Sequence, residues 1–477
     1  MRVRSVSRKG LVESMASSST GPEAAASPAT IRKVLVAACA ASSIDWYDFF
    51  IYLTAAALVF PAIFFPADID PVAGVLASFS TAAVGFFARP VGGVLFGHFG
   101  DRLGRKKTLV TALLLMGVAT TIIGLLPTYA SIGIWAAVAL FVLRICQGLA
   151  VGGQWGGAVL LATEYAPPSK RGFYGSFAQL GVPIGLVLGN VSFLVLAATM
   201  STDAFNAWGW RVPFLASIIL IGLAMYIQLK LEDTPAFRRL QQVSQERQEE
   251  GEEPERSPVI EVIREHPKQI LLAAGAFFVV NGSFYVMITG MLDYGTRDLG
   301  LTRSSMLTAV LISSLFQLFF IPAFALLSDR LGRRPVYLTG AVLLGLWAFP
   351  MFWLVDTASI VLITVALVVG QMFLSMMYGP QAALFSEMFS RKVRYSGASL
   401  GYQIAAVFAG GLAPIIMVSL LDWTDTSLSV SLYMFAMAVL TFFCVYLVTE
   451  TYEDEMAEDV AEEEGAAAGR RDTTTTR

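Results

Sequence analysis

The chain has 477 residues, of which 56% are hydrophobic and only 14% charged, with a net charge of -3. Soluble globular chains carry about 25% charged residues, so this composition describes a polytopic membrane protein. It excludes a secreted disulfide scaffold, a disordered chain and, for want of a basic footprint, a nucleic-acid binder. The cysteines Cys39, Cys146 and Cys444 sit in apolar runs as small hydrophobes, and no Cys or His spacing predicts a metal.

Residues 1–30 are polar, lack the apolar core of a signal peptide and read as a disordered cytoplasmic arm. Twelve apolar stretches of membrane-spanning length, about 20 residues or more, follow. The first six, at 34–60, 72–98, 106–126, 130–163, 172–198 and 210–230, form an N-terminal half over 31–230. A charged cytoplasmic linker at 231–266 separates them from 267–293, 304–327, 335–355, 358–386, 396–421 and 427–449, the C-terminal half over 267–450. The acidic, Thr-rich segment 451–477 reads as a disordered cytoplasmic tail. With both termini inside, 28 of the 33 Lys and Arg face one side. Arg211, Arg297 and Arg303 face the other, and Arg89 and Arg144 lie within spans. That bias predicts a multi-pass protein of the plasma (inner) membrane with both termini cytoplasmic.

The two halves repeat each other. Gly97-His-Phe-Gly-Asp101-Arg102-Leu-Gly104-Arg105-Lys-Lys in the second loop corresponds to Ser-Asp329-Arg330-Leu-Gly332-Arg333-Arg-Pro in the eighth. Glu164 corresponds to Glu387, and Arg171-Gly172 to Arg394 with Gly397 close behind. The predicted fold is therefore an all-α membrane protein of twelve transmembrane helices in two six-helix parallel repeats.

The duplicated G-x-x-x-D-R-x-G-R-K/R loop resembles the signature of the major facilitator superfamily. Arg144-Ile-Cys-Gln147-Gly148, followed by Gly152-Gly153, resembles its fourth-helix motif. Asp45-Trp-Tyr-Asp48-Phe, Phe87-Ala-Arg89-Pro-Val-Gly-Gly, Gly209-Trp-Arg-Val-Pro-Phe and Arg394-Tyr-Ser-Gly are similar to the metabolite:proton symporter family within it. Two positions depart from that family: Asp45 stands where Glu is usual, and Gln154 replaces a Glu of the fourth helix. The resemblance implies an alternating-access transporter. It also implies a cytoplasmic gate made by Gly97, Asp101, Arg102, Gly104, Arg105, Glu164, Arg171, Asp329, Arg330, Gly332, Arg333, Glu387 and Arg394.

Ionisable groups inside a span are costly and are functional candidates by default. Asp45 lies about 18 Å from the inner end of span one, and Arg144 about 21 Å from the outer end of span four. Asp48 is one turn beyond Asp45 on the same face. Arg89 lies at similar depth in span two. All four are expected to meet near the middle, where opposite charges make burial tolerable, and to couple protons through a carboxylate that pairs with Arg in only one state. For Arg89, followed by Pro90 and Gly92-Gly93, a packing or hinge role stands beside this. Tyr52, Gln147 and Gln154, with Arg144, are the substrate-binding candidates of the first half. The second half has no deep charge and offers Asn281, Tyr285, Gln317, Gln371, Tyr378, Gln381, Tyr402 and Gln403 instead. Individually each is an interhelical hydrogen bond. Together some should line a cavity near the midplane at the repeat interface.

The small-residue spacings Gly148/Gly152/Gly156 and Gly181/Gly185/Gly189 predict close helix packing. Gly397-Ala-Ser-Leu-Gly401 imitates a hydrolase elbow but opens a membrane helix, and no phosphate-binding G-x-x-x-x-G-K-[ST] loop is present. The expectation is a non-enzymatic, cofactor-free secondary transporter, working as a monomer. It imports a small organic acid (shikimate-like, an oxoacid or a dicarboxylate) with protons. The alternatives are a zwitterionic osmolyte such as proline or betaine, or a transporter-like sensor that does not transport.

Overall fold

The computed structural model describes residues 28–103, 105–152, 170–230, 264, 266–388 and 394–448. The N-terminal arm up to residue 27, nearly all of the linker, the tail, Gly104, Gln154 and Glu164 lie outside the described residues. So do the side chains of Asp101, Arg102, Arg105 and Arg394 and the surroundings of Gly97.

All regular structure among the described residues is helical. The first half comprises α1 (Pro28–Leu58), α2 (Pro71–Leu103), α3 (Arg105–Leu125), α4 (Trp135–Gly152), α5 (Arg171–Gln179 and Gly181–Thr199) and α6 (Arg211–Lys230). The second comprises α7 (Pro267–Tyr285, continuing through a π turn to Met291–Arg297), α8 (Arg303–Leu331), α9 (Arg333–Val355), α10 (Ile360–Glu387), α11 (Arg394–Ala405, a π turn, then Ala413–Thr424) and α12 (Leu428–Tyr446). Nine of the described helices are long and apolar enough to cross a membrane. The bent pair Thr202–Gly209 and Arg211–Leu223 makes a tenth, and Val110–Leu125 is a shorter apolar helix. The remaining span of the twelve is α1 (Pro28–Leu58). The outer wall is apolar, with Phe319, Ile219 and Trp423 exposed on it, as lipid contact requires.

Three boundaries differ from expectation for identifiable reasons. The charged motif of the second half is scarcely a loop: α8 runs through Asp329 and Arg330 to Leu331, and the chain turns only at Gly332, with φ 92°, a conformation open to glycine. The fourth span starts late, because a short helix (Tyr129–Ile132) and Gly133 at φ 59° precede α4. The fifth is interrupted at Leu180; Pro183 has no N–H to bond the carbonyl four residues back, at Gln179.

Packing inside each half relies on small residues, because lipid removes the hydrophobic drive between helices. A Cβ on Gly148 would lie 2.1 Å from the Gly85 carbonyl oxygen, and one on Gly152 would lie 2.0 Å from that of Arg89, so α2 and α4 touch backbone to backbone. Gly181 and Gly185 let α5 approach α1 at Ser42 and Trp46 in the same way. The family-like Trp210-Arg211 pair belongs to this scaffold. Trp210 is buried among Phe60, Phe64 and Phe214. Arg211 donates to the carbonyls of Gly124 (2.9 Å) and Leu126 (2.6 Å) and so caps the end of α3. The halves meet through α5 against α8 and α10, α2 against α11, and α1 against α7.

Candidate substrate and proton-coupling site

The four charges within the spans, of which Asp48, Arg89 and Arg144 are buried and Asp45 is partly buried, do not form the ion-pair cluster expected of them. The Arg89 and Arg144 guanidinium groups, from α2 and α4, both lie over the ring of Phe49, at 4.7 and 4.9 Å. Arg144 also stacks on Tyr52 (4.1 Å) and Arg89 on Phe86 (4.4 Å). Aromatic faces carry the negative end of the ring quadrupole and so stabilise a desolvated cation. Among the described residues no ion pair links either arginine to Asp45 or Asp48. Asp45 instead lies close enough to Asp48 for the two carboxylates to repel.

Asp48 and Arg144 are nevertheless connected. Arg144 Nη1 donates to Gln147 Oε1 (3.0 Å) and Gln147 Nε2 donates to Thr120 Oγ1 (2.8 Å). The Thr120 hydroxyl lies 2.9 Å from the Met116 carbonyl oxygen and 3.4 Å from Asp48 Oδ2. These four side chains are at most 1% exposed. Arg144 Nε and Nη2 and Asp48 Oδ1 have no hydrogen-bond partner among the described residues. Tyr52 and Gln147 were expected to touch substrate. Tyr52 is instead sealed within the first half, its hydroxyl on Thr81 at 2.7 Å, and both side chains hold Arg144.

A small cavity lies between the halves. Trp46 of α1 and Val182 of α5 line one side. The other side is Val280, Asn281, Phe284 and Tyr285 of α7, Gln317 of α8, Leu374, Tyr378 and Gln381 of α10, and Tyr402 of α11. Six of the second-half polar residues singled out by sequence thus converge on one space. Gln317 Oε1 and Gln381 Oε1 are buried without a hydrogen-bond partner among the described residues, so each offers an acceptor to a ligand. Gln371 stands behind, accepting from Gln317 Nε2 at 2.7 Å. Gln403 is buried outside the lining. Arg89 lies near Tyr285 and Tyr402 across the interface, and the charge of Arg144 also reaches Tyr285; of the two arginines, Arg89 is the one that neighbours both tyrosines. The π turns of α7 (Val286–Gly290) and α11 (Ala406–Gly411) adjoin this contact. A Cβ on Gly410 or Gly411 would lie 3.0 Å from the Tyr285 or Phe86 ring. Phe284 and Thr120 carried no signal in the sequence, since an aromatic or Thr in an apolar span is ordinary core, and Trp46 was marked only as part of the Asp45-Trp-Tyr-Asp48-Phe motif.

At the charged-motif end, Asp329 of α8 accepts from the backbone N–H groups of Gly172 (3.0 Å) and Phe173 (2.9 Å) at the start of α5. A carboxylate there is favoured by the helix dipole. Arg333 bonds Asp329 (2.5 Å) and Glu387 (3.5 Å) and is fully buried. Asp329, Arg333 and Glu387 thus form a latch that ties the second half to α5. Arg171 opens that helix, and Arg330 is exposed to one side.

Residues 33–459 match the sugar (and other) transporter family. The shikimate transporter of Escherichia coli K12 is 39% identical over 423 residues, covering 88% of this chain and 95% of that one. The inner membrane metabolite transport protein YhjE of the same organism is 39% identical over 430 residues, covering 88% and 94%. A proline/betaine transporter of Salmonella typhimurium is 32% identical over 424 residues, covering 88% and 84%. The crystal structure of a D-xylose–proton symporter matches with a TM-score of 0.69 at 19% identity, over 88% of this chain and 98% of that one, and shares the fold. A twelve-helix bundle of two repeats, a polar cavity between them and a charged latch at one end agree with these matches: the chain is a membrane transporter, not an enzyme, and belongs to the sugar (and other) transporter family of the major facilitator superfamily.

Proposed function

We propose that the protein imports a small organic acid together with protons by alternating access, from the inner membrane and with both termini cytoplasmic. The observation that carries this reading is Arg89, a fixed cation of the first half, beside two tyrosines that line the otherwise uncharged cavity wall of the second. A guanidinium presents a planar fork suited to a carboxylate. Gln317, Gln381 and Asn281 supply neutral donors and acceptors for hydroxyl or carbonyl groups. Since Arg89 and the tyrosines come from opposite halves, a carboxylate held between them draws the halves together, as transport requires. Asp45 and Asp48 carry the protons: a bound anion opposes negative charge on them, so substrate and proton arrive together. The 39% identity to the shikimate transporter supports a hydroxylated acid. The Asp329 latch, and the undescribed counterpart around Asp101, form the cytoplasmic gate. One copy contains the whole cavity, so a monomer suffices.

A zwitterion is the second reading, and the cavity's aromatic faces favour it. Trp46, Phe284 and Tyr378 suit a quaternary ammonium, and the proline/betaine transporters are 32–33% identical.

The test is uptake of labelled shikimate into proteoliposomes under an inward pH gradient. Unlabelled dicarboxylates, aromatic acids, proline and betaine serve as competitors. Accumulation above equilibrium that a protonophore abolishes is the expected result. Competition by betaine or proline alone supports the zwitterion. Absence of uptake and counterflow with every acid overturns the organic-acid reading.

A further inference from the structure

We propose that Thr120 is a positioning residue for proton coupling, its hydroxyl transmitting the charge state of Asp48 through Gln147 to Arg144. The inference rests on the proton-coupling role of Asp48 given above, and adds Thr120, a residue that no sequence motif marks.

The argument is one of hydrogen-bond direction. Arginine has donors only and an ionised carboxylate has acceptors only. Between them the chain runs in one sense: Arg144 Nη1 to Gln147 Oε1, Gln147 Nε2 to Thr120 Oγ1, and Thr120 towards Asp48 Oδ2. The Gln147 amide cannot flip, because its amino group would then face a guanidinium. Thr120 has one proton and two acceptors within reach, the Met116 carbonyl oxygen at 2.9 Å and Asp48 at 3.4 Å. When Asp48 is ionised it draws that proton, and an unbroken chain then links cation to anion. When Asp48 is protonated it donates instead, Thr120 turns to Met116, and the chain ends at Thr120. The charges stay apart in both states, so Asp48 can exchange its proton without first breaking a tight ion pair with Arg144.

The surroundings leave little else to perform this role. The charged and titratable groups facing Asp48 are Asp45 and Tyr47 on its own helix and, through the chain, Arg144 of α4. From α3 and α6 the groups are hydroxyls, Thr120 and Ser217. Within the low dielectric of a buried network each link is worth more than in water.

The test uses full-length protein in proteoliposomes, with Thr120→Val, Thr120→Ser and Asp48→Asn compared in two assays. One is uptake driven by a pH gradient as a function of external pH. The other is substrate counterflow at equal pH, which needs no net proton movement. Thr120→Val is expected to keep counterflow within about threefold while the midpoint of its uptake profile moves by a pH unit or more. Thr120→Ser should restore the wild-type profile. A wild-type profile in Thr120→Val, or a Thr120→Ser protein as altered as Thr120→Val, overturns the proposal. Should Thr120→Val fail to fold, Gln147→Met breaks the same chain at its next link and must reproduce the shift. Asp48→Asn separates the two readings. If it still accumulates substrate, the coupling role of Asp48 fails. If it does not, and Thr120→Val is unaltered, only the relay fails.

Discussion

Arg303 at the start of α8 donates from Nη1 to Asn206 Oδ1 at 3.1 Å, joining the two halves at the end remote from the Asp329 latch. Its guanidinium also lies 5.8 Å from the ring centroid of Phe205. The bundle is thus tied at both ends in this structure, and each tie must release for the cavity to open on that side.

Arg303→Ala should favour opening at the Asn206 end. A cysteine placed at Val280, which lines the cavity, in a background without Cys39, Cys146 and Cys444, reports it. Labelling by an impermeant thiol reagent from that side is expected to speed up several-fold. An unchanged rate would show that the contact contributes nothing to closure, as many half-exposed polar contacts do.

Asp329→Ala removes the acceptor for two α5 amides and leaves Arg333 buried with one less partner. Breaking a buried pair on one side costs about 3–5 kcal/mol. The latched state should fall by about a hundredfold or more, at about 1.4 kcal/mol per tenfold. The same Val280 cysteine, probed from the latch side, should label much faster. Wild-type labelling would remove Asp329 from the gate.

Gly148→Ala forces a methyl group to within 2.1 Å of a backbone oxygen, so α2 and α4 must separate. A loss of at least about 1–3 kcal/mol is expected, read as a lowered melting temperature in detergent. Gly222→Ala is the matched control, since a Cβ there meets nothing within 4 Å. It should melt as wild type or slightly higher. Equal effects at the two sites would refute the close-packing account.

Arg89→Lys keeps the charge but loses the planar fork. If Arg89 holds the substrate carboxylate, KM for an acid substrate should rise about tenfold or more, while inhibition by the corresponding amide stays as it was. A parallel loss for acid and amide would instead identify Arg89 as a packing residue between α2 and α11.

Much of this protein was legible from its sequence, because a bilayer imposes a length and a polarity on every span. Hydropathy located all twelve helices to within a few residues at most ends. The repeat of Asp101 and Asp329 with their arginines identified the fold. Boundaries were missed where one residue turned the chain, as at Gly133, Gly332 and Pro183. The convergence of Asn281, Gln317, Gln381 and Tyr402 was anticipated as a group, since polar residues in apolar spans must face protein or a cavity.

What only the tertiary structure decided is how the buried charges are arranged. Sequence places Asp45, Asp48, Arg89 and Arg144 at similar depths, and complementary charge predicts that they pair. Depth along a helix does not give the angle at which its side chains leave it, nor the rotation of one helix against another. Those angles are set by contacts such as Gly148 on Gly85 and Gly152 on Arg89, which press α2 onto α4 and stack both guanidinium groups on Phe49. The carboxylate of Asp48 is left facing Thr120. Sequence by itself determined which groups are buried. Helix packing decided which of them meet, because hydrogen bonds and ring contacts act over a few ångströms and depend on those angles.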